Sequence, residues 1–334
     1  MSVPAEIDGS DTGPLGRLAL SRSAVDRATQ RRSDPEWIEA AWADPRTRVV
    51  VVHASQALGR TVDGVPALVF ASTAEAPPGT RFFLGLDDDE VAYFGVSATD
   101  EAAEAAGAAP APWAWASDPD AKPISLRVAG ALLSDRDAGL MTHAVALANW
   151  HDTHTHCPRC GAATIPAPAG HITVCPVDGT EHFPRLDPAV IMLVTDPDDR
   201  CLLARNALWP KGRMSVLAGF VEPGESAEHA VVREVFEEVS IVVGHVSYLG
   251  SQPWPMPRSL MLGYQAVAAG GQSIEVDEEE IGEARWFSRD EMRAAIDTGE
   301  LGVAPSSSIA RRLIEYWYGA PLPDGTAGWA TAAR

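Results

Sequence analysis

The stretch "LAGFVEPGESAEHAVVREVFEEVSIVV", residues 217–243, constrains this chain more than any other. It reads as a turn followed by a helix. Pro223-Gly224 punctuates the turn, and Ser226 is a plausible N-cap. On the helix Glu234, Glu237 and Glu238 stand at i, i+3 and i+4, which puts all three carboxylates on one face. Ala230, Val231 and Val235, with Val239 near the edge, form the opposite face and can pack on a sheet. Like charges at such spacings repel by about a few tenths of a kcal/mol per exposed pair. A structural helix has no use for that repulsion, whereas Mg²⁺ or Mn²⁺ requires a cluster of hard oxygen ligands.

The net charge of −20 argues against a general nucleic-acid binder, which would carry a basic stripe. No run of about 18 apolar residues is present, so no membrane span is expected. The N-terminal "MSVPAEIDGSDTGPLG" lacks the basic and apolar regions of a signal peptide, and a cytoplasmic location is expected.

Three of the four cysteines fall close together, which points to metal rather than to disulfides. Cys157 and Cys160 form a C-x2-C knuckle, and Cys175 follows after fourteen intervening residues. Paired knuckles of this kind make a zinc ribbon. The second knuckle reads "CPVD", which puts Asp178 at the fourth ligand position. His182, His171 and His156 are alternative fourth ligands, and a degenerate ribbon without metal is a further reading. Cys201, in "RCLLARN", reads as a small apolar strand residue.

The predicted organisation is a flexible tail (1–16), an N-terminal α+β domain (17–133), a helix with a zinc-ribbon-like module (134–185), a catalytic domain (186–319) and an irregular tail (320–334). Strands are expected at 47–55 and 66–73, a hairpin at 80–98, and an Ala/Pro-rich linker at 100–123. The last helix, within 305–319, is expected to be capped by Ser306 or Ser307 and to bury Ile309, Leu313, Ile314 and Trp317.

From Gly219 the chain reads G-x5-E-x7-R-E-V-x-E-E-x-S-I, through Glu225, Arg233, Glu234, Val235, Glu237, Glu238, Ser240 and Ile241. This resembles the Nudix box at eight of its nine fixed positions. The departure is Ser240, where the family has glycine. If the left-handed backbone is kept there, serine costs about 1 kcal/mol. "SQPWPMPRS", residues 251–259, resembles the array that marks the NADH pyrophosphatase subfamily, with Met256 in place of phenylalanine.

The resemblance implies a fold, an activity and a set of roles. The fold is α/β, an α/β/α sandwich on a mixed sheet, with the ribbon and an N-terminal α+β domain. The activity is hydrolysis of NAD(H) to NMN(H) and AMP with Mg²⁺ or Mn²⁺. The NAD-capped 5′ end of RNA is a further substrate, met through local basic residues such as Arg185, Arg205, Lys211 and Arg213. A homodimer is implied. Glu234 and Glu238 match metal ligands, Glu237 a further ligand or the base, and Arg233 an orienting partner. The Ala218 carbonyl and Glu280, with Glu279 close in register, match further ligand positions. Phe183, Phe220, Gln252, Pro253, Trp254, Pro255, Met256, Pro257, Arg258, Ser259, Glu280 and the Ala310 backbone match substrate contacts. Two alternatives stand beside this: a broader hydrolase acting on ADP-ribose or other dinucleotides, and a binding protein disabled at Ser240.

Overall fold

The computed structural model describes residues 13–98, 113 and 115–323. Residues 1–12 of the predicted tail at 1–16, residues 324–334 of the one at 320–334, and most of the Ala/Pro-rich linker lie outside the described residues. The chain divides into two compact units, one made of residues 22–186 and 254–258, the other of 13–21, 187–253 and 259–323.

In the first unit a single helical turn at Thr29–Ser33 leads into α1 (Pro35–Ala43). Pro35 opens this helix, and the Asp34 carboxylate accepts from Trp37 N. Six strands follow: β1 (Arg48–His53), β2 (Gln56–Val62), β3 (Val65–Leu68), β4 (Gly79–Leu86), β5 (Ala92–Ala98) and β6 (Lys122–Ser125). They pair in the order β3-β2-β1-β5-β4, with β6 also on β2. β1 and β5 run parallel, and Val49 to Val52 of β1 are almost wholly buried. Such a continuous apolar run fits a strand covered on both faces. The 80–98 hairpin forms as expected, its turn closed by Asp87, whose carboxylate accepts from Asp89 N and Val91 N. The short α2 (Leu126–Ala129) and the long α3 (Asp135–Thr153) follow. α3 packs across β1, β4 and β5. A small three-stranded sheet, β7 (Ile165–Pro166), β8 (Thr173–Val174) and β9 (Glu181–His182), carries the cysteine knuckles.

The second unit contains β10 (Asp187–Thr195), β11 (Cys201–Asn206), β12 (Leu217–Phe220), α4 (Ala227–Val239), β13 (Val243–Trp254), β14 (Ser259–Ala268), β15 (Ile281–Phe287), α5 (Arg289–Asp297) and α6 (Ile309–Tyr318). The sheet order is β13-β14-β10-β11-β15, with β12 also on β10. β10 runs parallel to β14 and antiparallel to β11 and β12, so the sheet is mixed. Alternation along β10 divides the core. Val190, Met192 and Val194 pack with Ala230, Val231, Val235 and Val239 of α4. Ile191 and Leu193 pack with Met292 of α5 and with Ile309, Leu313, Ile314 and Trp317 of α6. The period-2 pattern of one strand thus feeds two helical layers, which is the α/β/α sandwich expected from the resemblance.

Three local expectations are corrected. The cap of α6 is Ser308, not Ser306 or Ser307; its hydroxyl accepts from Ala310 N at 3.2 Å. Ser307 lies one residue too early to cap, and it is buried instead. Leu15, placed in the tail, is 2% exposed and joins the core of the second unit with Leu18, since burying apolar side chains is favourable. Leu322 joins the same core, and Arg311, buried within α6, donates to the Leu322 and Pro323 carbonyls. No helix among the described residues is long and apolar enough to cross a membrane.

Candidate active site

The acidic helix is placed by its own apolar side. Ala230, Val231, Val235 and Val239 are fully buried on the sheet, which turns Glu234, Glu237 and Glu238 to the other side. The Ser226 hydroxyl caps the helix by accepting from His229 N, as predicted. At the other end, orphan carbonyls are satisfied by the chain before β15: Asp277 N donates to Glu238 O and Glu275 N to Val239 O.

Arg233 organises the carboxylates. Its Nε and Nη2 grip Glu225 through both oxygens, at 2.9 Å each. Its Nη1 donates to Glu234 at 2.9 Å and to Glu237 at 2.8 Å. Nη2 also donates to the Phe220 carbonyl at 2.9 Å. One planar guanidinium therefore ties the turn, two helix carboxylates and the end of β12 together. The bond to Glu225 is the chief reason its pKa is raised. In the sequence Glu225 is only a fixed position of the box; its clamp on Arg233 appears once the turn folds back on the helix.

Glu238 has no such partner. It is 8% exposed, and its Oε2 is buried without a hydrogen bond. Burial, then the charges of Glu234, Glu280 and Glu237, push its carboxyl up to about 8. Burial also raises Glu234, against the pull of Arg233. Glu280, rather than its neighbour Glu279, is the carboxylate whose charge reaches Glu234 and Glu238. It is held there by its N–H to Asp277 O and by its carbonyl, which accepts from Ala207 N.

Gly219 explains the first letter of the motif. A Cβ built there would lie 1.9 Å from the Glu234 carboxyl carbon. The glycine serves close approach, and Glu234 rests directly on β12. Ala218, one residue earlier, is exposed.

Glu234, Glu237 and Glu280 lie near enough to Glu238 for their charges to act on its carboxyl, and Arg233 bonds Glu234 and Glu237 as well as Glu225. A buried, unpartnered carboxylate oxygen beside them fits a hard divalent cation. Glu234, Glu237, Glu238 and Glu280 would hold it, and it would supply activation of water and charge neutralisation at a pyrophosphate.

The NUDIX domain family model matches residues 185–305. The NADH pyrophosphatase zinc ribbon domain matches 152–183, and the NADH pyrophosphatase-like rudimentary NUDIX domain matches 46–150. Similarity to curated relatives extends over nearly the whole chain. The NAD-capped RNA hydrolase NudC of Mycobacterium bovis (strain BCG / Pasteur 1173P2) is 41% identical over 315 residues, covering 89% of this chain and 94% of the relative. The chain belongs to the Nudix family. NudC of Mycobacterium tuberculosis (strain ATCC 25618 / H37Rv) is 40% identical over the same coverage. Human NUDT12, named as an NAD-capped RNA hydrolase, is 42% identical over 197 residues, 55% of this chain and 42% of the human protein.

In this Nudix protein the box departs from the family at Ser240, and the structure shows what the glycine is for. Ser240 ends α4 with φ 57 and ψ 25, and its N–H donates to Phe236 O. Ser240→Gly is expected to stabilise the protein by about 0.5–1 kcal/mol, about 2 °C in Tm, with kcat unchanged. Thermal unfolding and initial rates check this; a fall in Tm would show that the serine is not strained.

The ribbon forms a ligand set. The ligand atoms of Cys157, Cys160, Cys175 and Asp178 all lie within 4.8 Å of one another, which fits one structural zinc. The two knuckles are alike: Gly161 N donates to Cys157 O, and Gly179 N to Cys175 O, each at 2.9 Å. Asp178 thus occupies in the second turn the place of Cys160 in the first. The Thr180 N–H, then its hydroxyl and the Cys175 thiol, hold its carboxyl down at about 2, so it is an anionic donor. Of the alternative ligands, His171 points its Nε2 at the Phe83 carbonyl, and His156 faces the Thr155 hydroxyl.

The substrate-contact residues behave differently from one another. Phe220 and Phe183 are 58% and 63% exposed, so neither is a core residue. Gln252 is wholly buried, contrary to its expected place on a pocket wall. Its amide accepts from Leu20 N and donates to Ser307 O, which ties two backbone segments. In the first unit Asn149 Nδ2 donates to the Pro255 and Pro257 carbonyls, and the Arg127 guanidinium lies 5.4 Å from the Trp254 ring centre. Asn149 and Arg127 carried no motif signal. Met256 and Arg258 are half-buried, and Pro253 and Ser259 likewise. Ala310, whose backbone is an expected substrate contact, is 2% exposed and donates its N–H to the Ser308 hydroxyl. Two of the local basic residues are structural as well: Arg205 donates to Trp209 O, and Arg213, 7% exposed, stacks on the Trp209 ring.

Proposed function

We propose that this chain hydrolyses the pyrophosphate of NAD(H), and of NAD-capped RNA 5′ ends, to release a nicotinamide mononucleotide and an AMP moiety. The observation that carries the reading is the buried, unpartnered Glu238 carboxylate among Glu234, Glu237 and Glu280. A pyrophosphate is anionic and cannot approach those acids without divalent cations, for which Mg²⁺ and Mn²⁺ are the fitting class. Arg233 keeps Glu234 and Glu237 in place, and the exposed Phe220 ring, its backbone fixed by Arg233, offers a stacking platform for a base. Glu237, the most exposed of Glu234, Glu237 and Glu238, is the candidate general base.

The NudC and NUDT12 relatives and the ribbon support NAD as the nucleotide. Phe183 and the Trp254–Ser259 segment are proposed as further contacts on the subfamily array. With a net charge of −20, and with Arg205 and Arg213 committed internally, RNA is read through its 5′ end rather than through a basic surface. A homodimer in the cytoplasm completes the reading, on the family resemblance.

Product analysis tests it. Purified protein incubated with NADH and Mg²⁺ or Mn²⁺ is expected to yield NMNH and AMP in equal amounts, with none formed in chelator. ADP-ribose cleaved in preference to NADH, or no products from folded, metal-supplied protein, would overturn the assignment.

A further inference from the structure

The cysteine ribbon has a chemical consequence independent of the hydrolase reading. With Asp178 at the fourth position, the second knuckle carries one sulfur instead of two. Cys175 therefore has no thiol neighbour in its own turn, and Cys160 Sγ, across the ribbon, stands 3.5 Å from its Sγ. Cys160 is exposed, while Cys157 and Cys175 are buried. A small oxidant in water meets Cys160 first, and Cys175 is the sulfur placed to answer it. Closing the pair to a bonded distance needs a sulfur displacement of about 1.5 Å, within the reach of side-chain rotation.

We propose that Cys160 and Cys175 form an oxidative modification site: hydrogen peroxide converts them to a disulfide across the ribbon and so expels the bound zinc. The Cys160 sulfur attacks one peroxide oxygen. The O–O bond breaks, hydroxide leaves, and Cys160 becomes a sulfenic acid. The Cys175 sulfur then attacks the Cys160 sulfur. The S–S bond forms, the S–O bond breaks, and a second hydroxide leaves. The two zinc-bound thiolates give up two electrons, and peroxide is reduced to two hydroxides, which take protons from solvent. Cys157 and Asp178 remain, two donors where tetrahedral zinc takes four. The carboxylate makes the site easier to open than a four-thiolate site, since zinc bound in a ribbon favours sulfur.

The test uses the full-length, zinc-loaded protein. Peroxide is expected to release about one zinc per chain to a chromogenic chelator, in step with a mass loss of ~2 Da and a Cys160–Cys175 linked peptide, all reversed by dithiothreitol with added zinc. Asp178→Cys is expected to slow the release by about tenfold, and Cys160→Ser to abolish the linked peptide. A Cys157–Cys160 peptide as the main product would overturn the proposal. So would zinc release with all thiols intact, or Asp178→Cys releasing zinc as fast as the natural chain. The peptide mapping needs no variant, so a misfolded substitution does not decide the outcome. Protein that takes up no zinc under reducing conditions overturns the release half.

Discussion

Glu238→Gln is expected to lower kcat by roughly 10³-fold or more while making the metal-free protein more stable at pH 8. Both effects follow from one position. Glu238 is buried, feels the charges of three other carboxylates and lacks a hydrogen bond at Oε2. Glutamine keeps the shape and removes the charge, so the cation loses an anionic ligand. The stability change has a definite sign. The folded-state pKa of about 8 lies above the ordinary 4.5, so the folded protein holds this proton more tightly than the unfolded chain does. Below about 4.5 both states are protonated and the group costs nothing. As pH rises from about 4.5 to about 8, stability is lost, at up to about 1.4 kcal/mol per unit, and the loss levels off above 8. Solvent screening reduces the total to about 2–4 kcal/mol. In chelator, Tm of the natural protein should fall across that window, Glu238→Gln should fall less, and Mg²⁺ should restore the natural protein alone. An active Glu238→Gln enzyme, or one less stable than the parent in chelator at pH 8, would sink the assigned role.

Gly219→Ala tests the site from the opposite wall. The added methyl would sit 1.9 Å from the Glu234 carboxyl carbon, so that carboxylate must move. It is the far end of a flexible side chain, and Gly219 has no positive φ, so the fold should lose no more than about 1 kcal/mol. Glu234 cannot move without breaking its 2.9 Å bond to Arg233, which also holds Glu237 and Phe220. We expect kcat to fall about 10²-fold with Tm nearly unchanged, since misplacement by about 1 Å is enough to lose that much. Far-ultraviolet melts beside steady-state rates separate the two readouts. Near-normal turnover would show that Glu234 need not rest on β12.

The two results together would distinguish a ligand from the wall that positions one. Glu238→Gln changes charge without shape, and Gly219→Ala changes shape without charge. A purely structural acidic helix would tolerate both with little change in rate.

The box helix was legible because its constraints are local. Spacings of three and four residues put acids on one side and valines on the other, and no partner is needed to know it. The left-handed end at Ser240 was legible only through the resemblance, from the glycine that the family has there. The cysteine knuckles were half legible. Their spacing predicted a ribbon with Asp178 at the fourth position and three histidines as alternatives, and the matching turns at Gly161 and Gly179 bring the Asp178 carboxylate together with the three sulfurs. The 251–259 array was legible as a resemblance and illegible in its parts. Only the folded chain shows that Gln252 is an internal tie and that the Ala310 N–H belongs to Ser308.

The sequence by itself determined what depends on neighbours along the chain: the amphipathic helix, its cap, the turn before it and the paired knuckles. The tertiary structure alone decided what depends on distant segments meeting. It placed Glu280 where its charge reaches Glu238, some forty residues earlier, and it laid Glu234 against Gly219. It drew Leu15, Leu18 and Leu322 into one core. The reason is physical. Backbone periodicity follows from covalent geometry, whereas burial, and with it the raised carboxyl of Glu238, exists only once other elements have excluded the water.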